Sequence, residues 1–266
     1  MLHKLTNKHI LAITFFTALL PTDHTFAQTD KNPWLGPAPR FAKEAYFSNL
    51  TDGAKIETPY LVKFGLTGIG LAAISGIAPD TGHHHLLVNR ELPANFTQPL
   101  PFNDQYIHFG KGQMETVLTF KPGTYQLRLV MANQAHIPHF VYSKPISVTV
   151  TKQDAAIDPK SLITQGVSIL SPAENAVVRA PFRVAFHASG YNVSHAAIVD
   201  AGIGHFRLKL QPVNAGETVI EFKNGHTEAW LSPPAGRYTA KLELVSNNKL
   251  GSVMATSTPV KFEVQR

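Results

Sequence analysis

Short apolar segments recur along this chain, each bounded by clusters of Gly, Pro, Asn or Asp. Tyr60–Phe64, Leu86–Val88, Thr116–Phe120, Tyr125–Val130 and Ile146–Val150 are rich in β-branched and aromatic residues, the composition of strands between turns. No stretch sustains apolar positions at a 3.6-residue period, so long amphipathic helices are not expected. The pattern predicts an all-β protein.

The pattern also occurs twice. "LTDGAKIETPYLVKF" (50–64) matches "SPAENAVVRAPFRVAF" (171–186) at an offset of 122, pairing Ala54 with Ala176, Pro59 with Pro181 and Phe64 with Phe186. The same offset pairs Gly82-His83 with Gly204-His205. After a nine-residue shortening, "HFGKGQMETVLTFKPGTYQLRL" (108–129) matches "EFKNGHTEAWLSPPAGRYTAKL" (221–242), and "SKPISVTV" (143–150) answers "STPVKFEV" (257–264). About seven short strands in roughly 100 residues is the signature of an immunoglobulin-like sandwich. In both copies a Gly-containing turn leads into a tyrosine, Tyr125 or Tyr238, placed as in the tyrosine corner of such sandwiches. The prediction is two tandem immunoglobulin-like β-sandwich domains, at 47–150 and 167–266, with a polar linker over 151–166. Cut near residue 158, the halves are expected to fold apart, the first keeping any metal affinity.

Residues 1–27 read as a signal peptide. Lys4 and Lys8 precede the largely apolar run Ile10–Leu20, and Thr25-Phe26-Ala27 offers a small-x-small cleavage site. Residues 28–46 are left as an N-terminal segment. Cleavage after Ala27 removes Lys4, Lys8 and Asp23, taking the net charge from +6 to +5. This mild excess forms no block of like charge, which argues against a nucleic-acid partner. No later segment is long and apolar enough for a membrane helix. The chain has no cysteine, so neither disulfides nor thiolate ligands contribute.

Several motifs are refused. Gly68-x-Gly70-x-x-Ala73 imitates a dinucleotide fingerprint, but no βαβ pattern surrounds it and Asp80 comes too early. No nucleophile elbow or metalloprotease helix is present, and no carboxylate pair is set up to separate an acid from a base. No enzyme is expected. Asn49, Asn95 and Asn192 head glycosylation sequons by pattern alone.

What remains is histidine. The first copy holds His83, His84, His85, His108, His136 and His139, whereas the second keeps only His205 of the aligned set. If the fold alone required them, the second copy would need them too. In a strand, His83 and His85 share one face about 6–7 Å apart while His84 turns to the other, with Leu86 and Val88. Together with His108, His136 and His139 they make a three- or four-nitrogen sphere of the kind that takes Zn(II) or Cu(II). Met114 and Met131 would extend the choice to Cu(I). The alternative is a structural network of hydrogen-bonded imidazoles.

Three blocks carry a resemblance. "TGHHHLLVN", "PFNDQYIHFGKGQMETVLTFKPGTYQLRLV" and "HIPHFVYSKPISVTV" resemble a family of small exported bacterial domains. That family has no assigned activity, and it implies a periplasmic setting. The resemblance singles out His83, His84, His85, His108, Gly110, Gln113, Glu115, His136 and His139. Asn133 departs from the acidic residue expected there. The reading is a periplasmic or secreted binding protein for a copper or zinc ion, with ligands from His83, His85, His108, His136 and His139 and with Glu115 supporting a histidine. Metal is expected to be lost below about pH 6. The competing reading is a cell-envelope module that binds another envelope protein and uses its histidines structurally.

Overall fold

In the computed structural model, which describes residues 32–36, 43–249 and 251–266, the chain is built from strands with one short 3-10 turn at Pro159–Leu162. The expected signal peptide lies outside the described residues. The first half comprises β1 (Glu44–Phe47), β2 (Ala54–Thr58), β3 (Tyr60–Thr67), β4 (Gly70–Leu71), β5 (Thr81–Val88), β6 (Tyr106–His108), β7 (Glu115–Leu118), β8 (Gly123–Ala132), β9 (Pro138–Tyr142) and β10 (Ile146–Gln153). The second repeats the series as β11 (Gly166–Ser171), β12 (Ala176–Arg179), β13 (Phe182–Ser189), β14 (Asn192–Val193), β15 (Ile203–Pro212), β16 (Thr218–Glu221), β17 (Glu228–Leu231), β18 (Gly236–Ser246), β19 (Val253–Thr256) and β20 (Val260–Gln265).

Each half sets a three-stranded sheet, β1-β3-β7 or β11-β13-β17, against a larger one, β2-β10-β8-β5-β4 or β12-β20-β18-β15-β14. β6 and β16 pair with β5 and β15, and β9 and β19 with β8 and β18. The two tandem sandwiches therefore share one plan strand by strand, as the repeat predicts. The tyrosine corners form in both: Tyr125 donates to Lys121 O at 3.0 Å and Tyr238 to Pro234 O at 2.7 Å. The repeated serine before the last strand has a matching job. Ser143 Oγ accepts from Leu129 N and Ser257 Oγ from Leu242 N, capping one broken ladder bond in each copy.

Between the sheets lies an apolar core of Val62, Phe64, Leu86, Leu127 and Leu129, matched by Val184, Phe186, Leu208, Ala240 and Leu242. Strand alternation puts these residues inward, and their burial is the main stabilising term. Two expectations about boundaries are corrected. β1 pairs along β3 from Glu44↔Thr67 to Phe47↔Phe64, so residues 44–46 belong to the first sandwich. Residues 32–36 instead lie on the second sandwich, where Gly36 N donates to Trp230 O and Ser232 N to Trp34 O.

The halves are also not independent. Glu115, at the start of β7, is buried, and its carboxylate accepts from His187 Nε2 at 2.9 Å, Ser189 Oγ at 2.7 Å and Gly190 N at 3.0 Å. The repeat-equivalent Glu228 reaches back to Thr67 at 2.6 Å and Tyr46 at 2.8 Å, and also accepts from Arg183 of its own sandwich. Backbone bonds follow the same reciprocity: Val193 N donates to Gly112 O and Leu71 N to Gly225 O. Such exchange of equivalent contacts is the logic of an isologous dimer, here within one chain. The buried hydrogen-bonded carboxylates predict association of the halves even when the linker is cut.

Candidate metal centre

Strand β5 reads Thr-Gly-His-His-His-Leu-Leu-Val and is buried throughout. Alternation sends its three imidazoles to two environments. His84 faces the inter-sheet core, its ring 5.2 Å from that of Phe64. The repeat-equivalent residue is Phe206, which packs against Phe186 at 5.4 Å, so His84 fills an aromatic core position. Burial drives its pKa down to about 4 despite the nearby backbone of Gln113 and Gly65, and neither ring nitrogen makes a regular hydrogen bond. A buried polar group left unpaired costs about 1–3 kcal/mol. His84→Phe is therefore expected to raise the unfolding free energy of the metal-free protein by about 1–2 kcal/mol while leaving metal affinity unchanged. Chemical denaturation with a parallel metal titration checks both halves of that statement.

His83 and His85 face the other way, yet are 1% and 0% exposed. Their Nε2 atoms stand 2.9 Å apart. His108 lies opposite His85 in the β5–β6 register. Its ring takes the space that a side chain at position 110 would occupy, which explains Gly110 in the motif. His136 comes from the loop between β8 and β9, and its Nε2 lies 3.2 Å from His108 Nε2. One ligand-capable nitrogen from each of His83, His85, His108 and His136 falls within 4.8 Å of all the others.

The fourth imidazole is delivered by a turn. Asn133 Oδ1 accepts from Ala135 N at 2.9 Å and Ile137 N at 3.1 Å, and Asn133 O accepts from His136 N. His136 is thereby held at φ +62°, a left-handed conformation that non-glycine residues adopt at some cost. The departure noted at Asn133 thus has a role in shaping the loop. Above the cluster, the β5–β6 connection brings Phe102, 61% exposed, to 4.6 Å from the His136 ring and 5.2 Å from that of His108. Leu100 N donates to His136 O. The nine residues missing from the second copy are missing from this connection.

Other expected site residues go elsewhere. His139 sits on β9 with its Nε2 3.1 Å from Thr81 O, outside the four-nitrogen group. Gln113 accepts from Lys111 N and shapes a turn. Glu115 serves His187 of the other sandwich, correcting its assignment as support for a histidine of the first. Met114 and Met131 lie in the inter-sheet core; Met131 is in register with His84 and so shares its face, away from His83 and His85. The thioether route to Cu(I) is removed. Sequence reasoning missed Phe102 and His187, neither of which carries a local motif.

Among the described residues no carboxylate enters the cluster, and the rings oppose one another's protonation. Burial is the first cause throughout, and neighbouring imidazoles add to it at His83, His85 and His108: His83 is pushed down to about 2 and His85 to about 3, His108 moves below the usual value, and burial alone lowers His136. At neutral pH all four are uncharged, and each ring carries one lone pair, engaged in an N–H···N contact in one ring of each close pair. His85 Nδ1 is buried without a hydrogen-bond partner, so strand and packing fix this ring.

The family model of a domain of unknown function, DUF4399, matches residues 62–151 and again 184–265, more than half of the chain. The chain belongs to the DUF4399 family. One matched region falls within each sandwich, from β3 to β10 and from β13 to β20. No curated protein matches the chain significantly. Among solved structures, the Clostridium thermocellum CbhA fibronectin(III)-like modules align over 83% of this chain and 92% of theirs, at 12% identity and a TM-score of 0.26. The chicken CNTN1 FN1-FN3 domains align over 87% and 69%, at 10% identity and 0.27. A two-domain fibronectin type III segment of chicken tenascin aligns over 84% and 98%, at 13% identity and 0.21. At these scores the likenesses add nothing to the sheets already described. Among the described residues, no helix is long and apolar enough to cross a membrane.

The second DUF4399 copy shows what the fold itself requires at this place. The equivalents of His85, His108 and Val130 are Arg207, Glu221 and Glu243. Arg207 bonds Glu243 at 2.6 Å and approaches Glu221 at 3.6 Å, and Lys209 meets Glu243 at 3.0 Å. The same backbone is thus satisfied by ion pairs. Four imidazoles are not a demand of the sandwich.

Proposed function

We propose that this chain is a non-catalytic binding protein for a transition-metal ion, copper or zinc, held by His83, His85, His108 and His136 and exported to act in the cell envelope. One observation carries the reading: four neutral imidazoles from two strands and a loop converge their nitrogens within 4.8 Å. Four protein donors close a tetrahedral sphere, the arrangement of holding sites, whereas catalytic sites keep a position open. With no anionic ligand, the ion keeps its charge in a half-buried site, which favours exchange over permanent retention. Export rests on the N-terminal sequence pattern. The depressed ring pKa values shift proton competition downward, so metal release is expected below the pH of about 6 that ordinary histidines would set.

A second reading is favoured by the close ring nitrogens themselves, since His83–His85 and His108–His136 can each share one N–H···N bond. Thermal and chemical melts separate the two. Zn(II) or Cu(II) at 100 times its dissociation constant is expected to add about 2.7 kcal/mol to the unfolding free energy. His83→Ala with His85→Ala should abolish the gain. Equilibrium dialysis with no bound metal at neutral pH, together with a large loss of stability in the double variant, would establish the structural network instead.

A further inference from the structure

The arrangement of the four rings goes further than the presence of a site. Their centres are separated by 4.8 Å for His83–His85, His83–His108 and His108–His136, 5.0 Å for His85–His108, 5.2 Å for His83–His136 and 5.8 Å for His85–His136. A metal–nitrogen bond of about 2.0–2.1 Å, with the ring centre about 1.1 Å behind the nitrogen, puts each centre about 3.2 Å from the ion. A tetrahedron then spaces all six pairs by about 5.2 Å. A square plane requires four pairs at about 4.5 Å and two at about 6.4 Å.

The observed separations lie around the tetrahedral value. None reaches the distance a flat site needs twice. The sphere through the four ring centres has a radius of about 3.1 Å, against the roughly 3.2 Å that an ion at its centre demands. The ring planes agree, crossing at 43° to 86° with no coplanar pair. Among the described residues nitrogen is the only donor type present, since both core methionines point away. We infer that the cluster is a tetrahedral four-histidine Zn(II) site whose rings already stand at tetrahedral spacing, and that Cu(II), which prefers tetragonal coordination, binds there only in a tetrahedrally distorted sphere. This rests on the reading of the cluster as a metal site.

The placement of the rings has a structural source. His83, His85 and His108 are locked by ladder pairing, and His136 by the Asn133 turn. β4 and the loop behind His108 are in turn tied to the second sandwich, through Leu71 to Gly225 and Gly112 to Val193. The ion is left to turn the rings in place, from nitrogens spread between 2.9 Å and 4.8 Å to the roughly 3.3 Å spacing of a tetrahedral sphere.

Co(II) substitution of the full chain tests this, because four-coordinate tetrahedral Co(II) absorbs visible light intensely and six-coordinate Co(II) only faintly. The expected result is an intense band that one equivalent of Zn(II) removes, with bound Cu(II) giving the reduced parallel hyperfine splitting of a distorted tetrahedron. In His136→Gly, which relieves the left-handed residue and so should still fold, the band should change and Zn(II) affinity should fall. That fall should exceed the roughly 10–100-fold typical of losing an outer-shell partner. A faint Co(II) band, a flat four-nitrogen Cu(II) spectrum or unchanged affinity in His136→Gly would overturn the tetrahedral assignment while leaving a metal site in place. Absence of any bound Zn(II), Cu(II) or Co(II) in dialysis would overturn the metal reading itself, and this inference with it.

Discussion

Acidifying the metal-free protein from pH 7.5 to about 4.5 is expected to lower its unfolding free energy by on the order of 5 kcal/mol or more. Burial holds His83, His85 and His84 at about 2, 3 and 4, against an ordinary value of 6.5. Below pH 6.5 the unfolded chain takes up protons on these rings and the folded chain does not, so the unfolded state binds more protons and stability falls as pH falls. The decline runs from about pH 6.5 down to the folded values, where the native rings protonate as well. At pH 4.5 each ring is two units below its unfolded value, worth at most about 3 kcal/mol. Set against a typical total of 5–15 kcal/mol, this brings the metal-free chain close to unfolding. Glu115 pulls the same way at lower pH. Burial raises its carboxyl, but the hydrogen bonds from His187, Ser189 and Gly190 outweigh this and hold it below the usual value, so its contribution is lost only below about pH 4.5. Denaturant titrations at pH 7.5 and 4.5 measure the change. Bound metal should flatten the upper part of the curve, and a stability independent of pH across this window would show that the rings are not held neutral.

Replacing Glu115 by alanine should cost about 3–5 kcal/mol, the usual penalty for removing one partner of a buried pair. The substitution strands His187 Nε2, Ser189 Oγ and Gly190 N at once, and His187 Nδ1 already lacks a partner. The loss should appear in one cooperative transition, because the carboxylate joins the two sandwiches. Glu115→Gln, with its carbonyl in the place of Oε1, keeps an acceptor for Ser189 and Gly190 and should lose less. A cost under about 1 kcal/mol for Glu115→Ala, within the range of ordinary surface substitutions, would mean that the halves hold together without this anchor.

The sheet plan was legible because strand alternation and turn chemistry are local. Pro-Gly or Ala-Gly before tyrosine predicted both corners, and the offset of 122 placed Phe64 and Phe186 in equivalent cores. The same period of two separated His84 from His83 and His85 before any contact was known. The asymmetry of histidines between the copies marked out the cluster, and the ion pairs of Arg207 with Glu221 and Glu243 explain how the second copy manages without it.

What alternation could not supply was the convergence of loops. His136 and His139 are three residues apart and equally suited by composition. Only the Asn133 turn, which holds His136 at φ +62°, and the start of β9 at Pro138 decide that the first joins the cluster and the second turns to Thr81. Glu115 read as a local helper because its neighbours in sequence are motif residues, yet its partners lie more than 70 residues away. By itself the sequence determined the elements, their repetition and which imidazoles share a face, since each follows from spacing along one strand. The tertiary structure alone decided which four nitrogens meet and that the second sandwich braces the first, because those contacts depend on loop closure and on packing between distant segments.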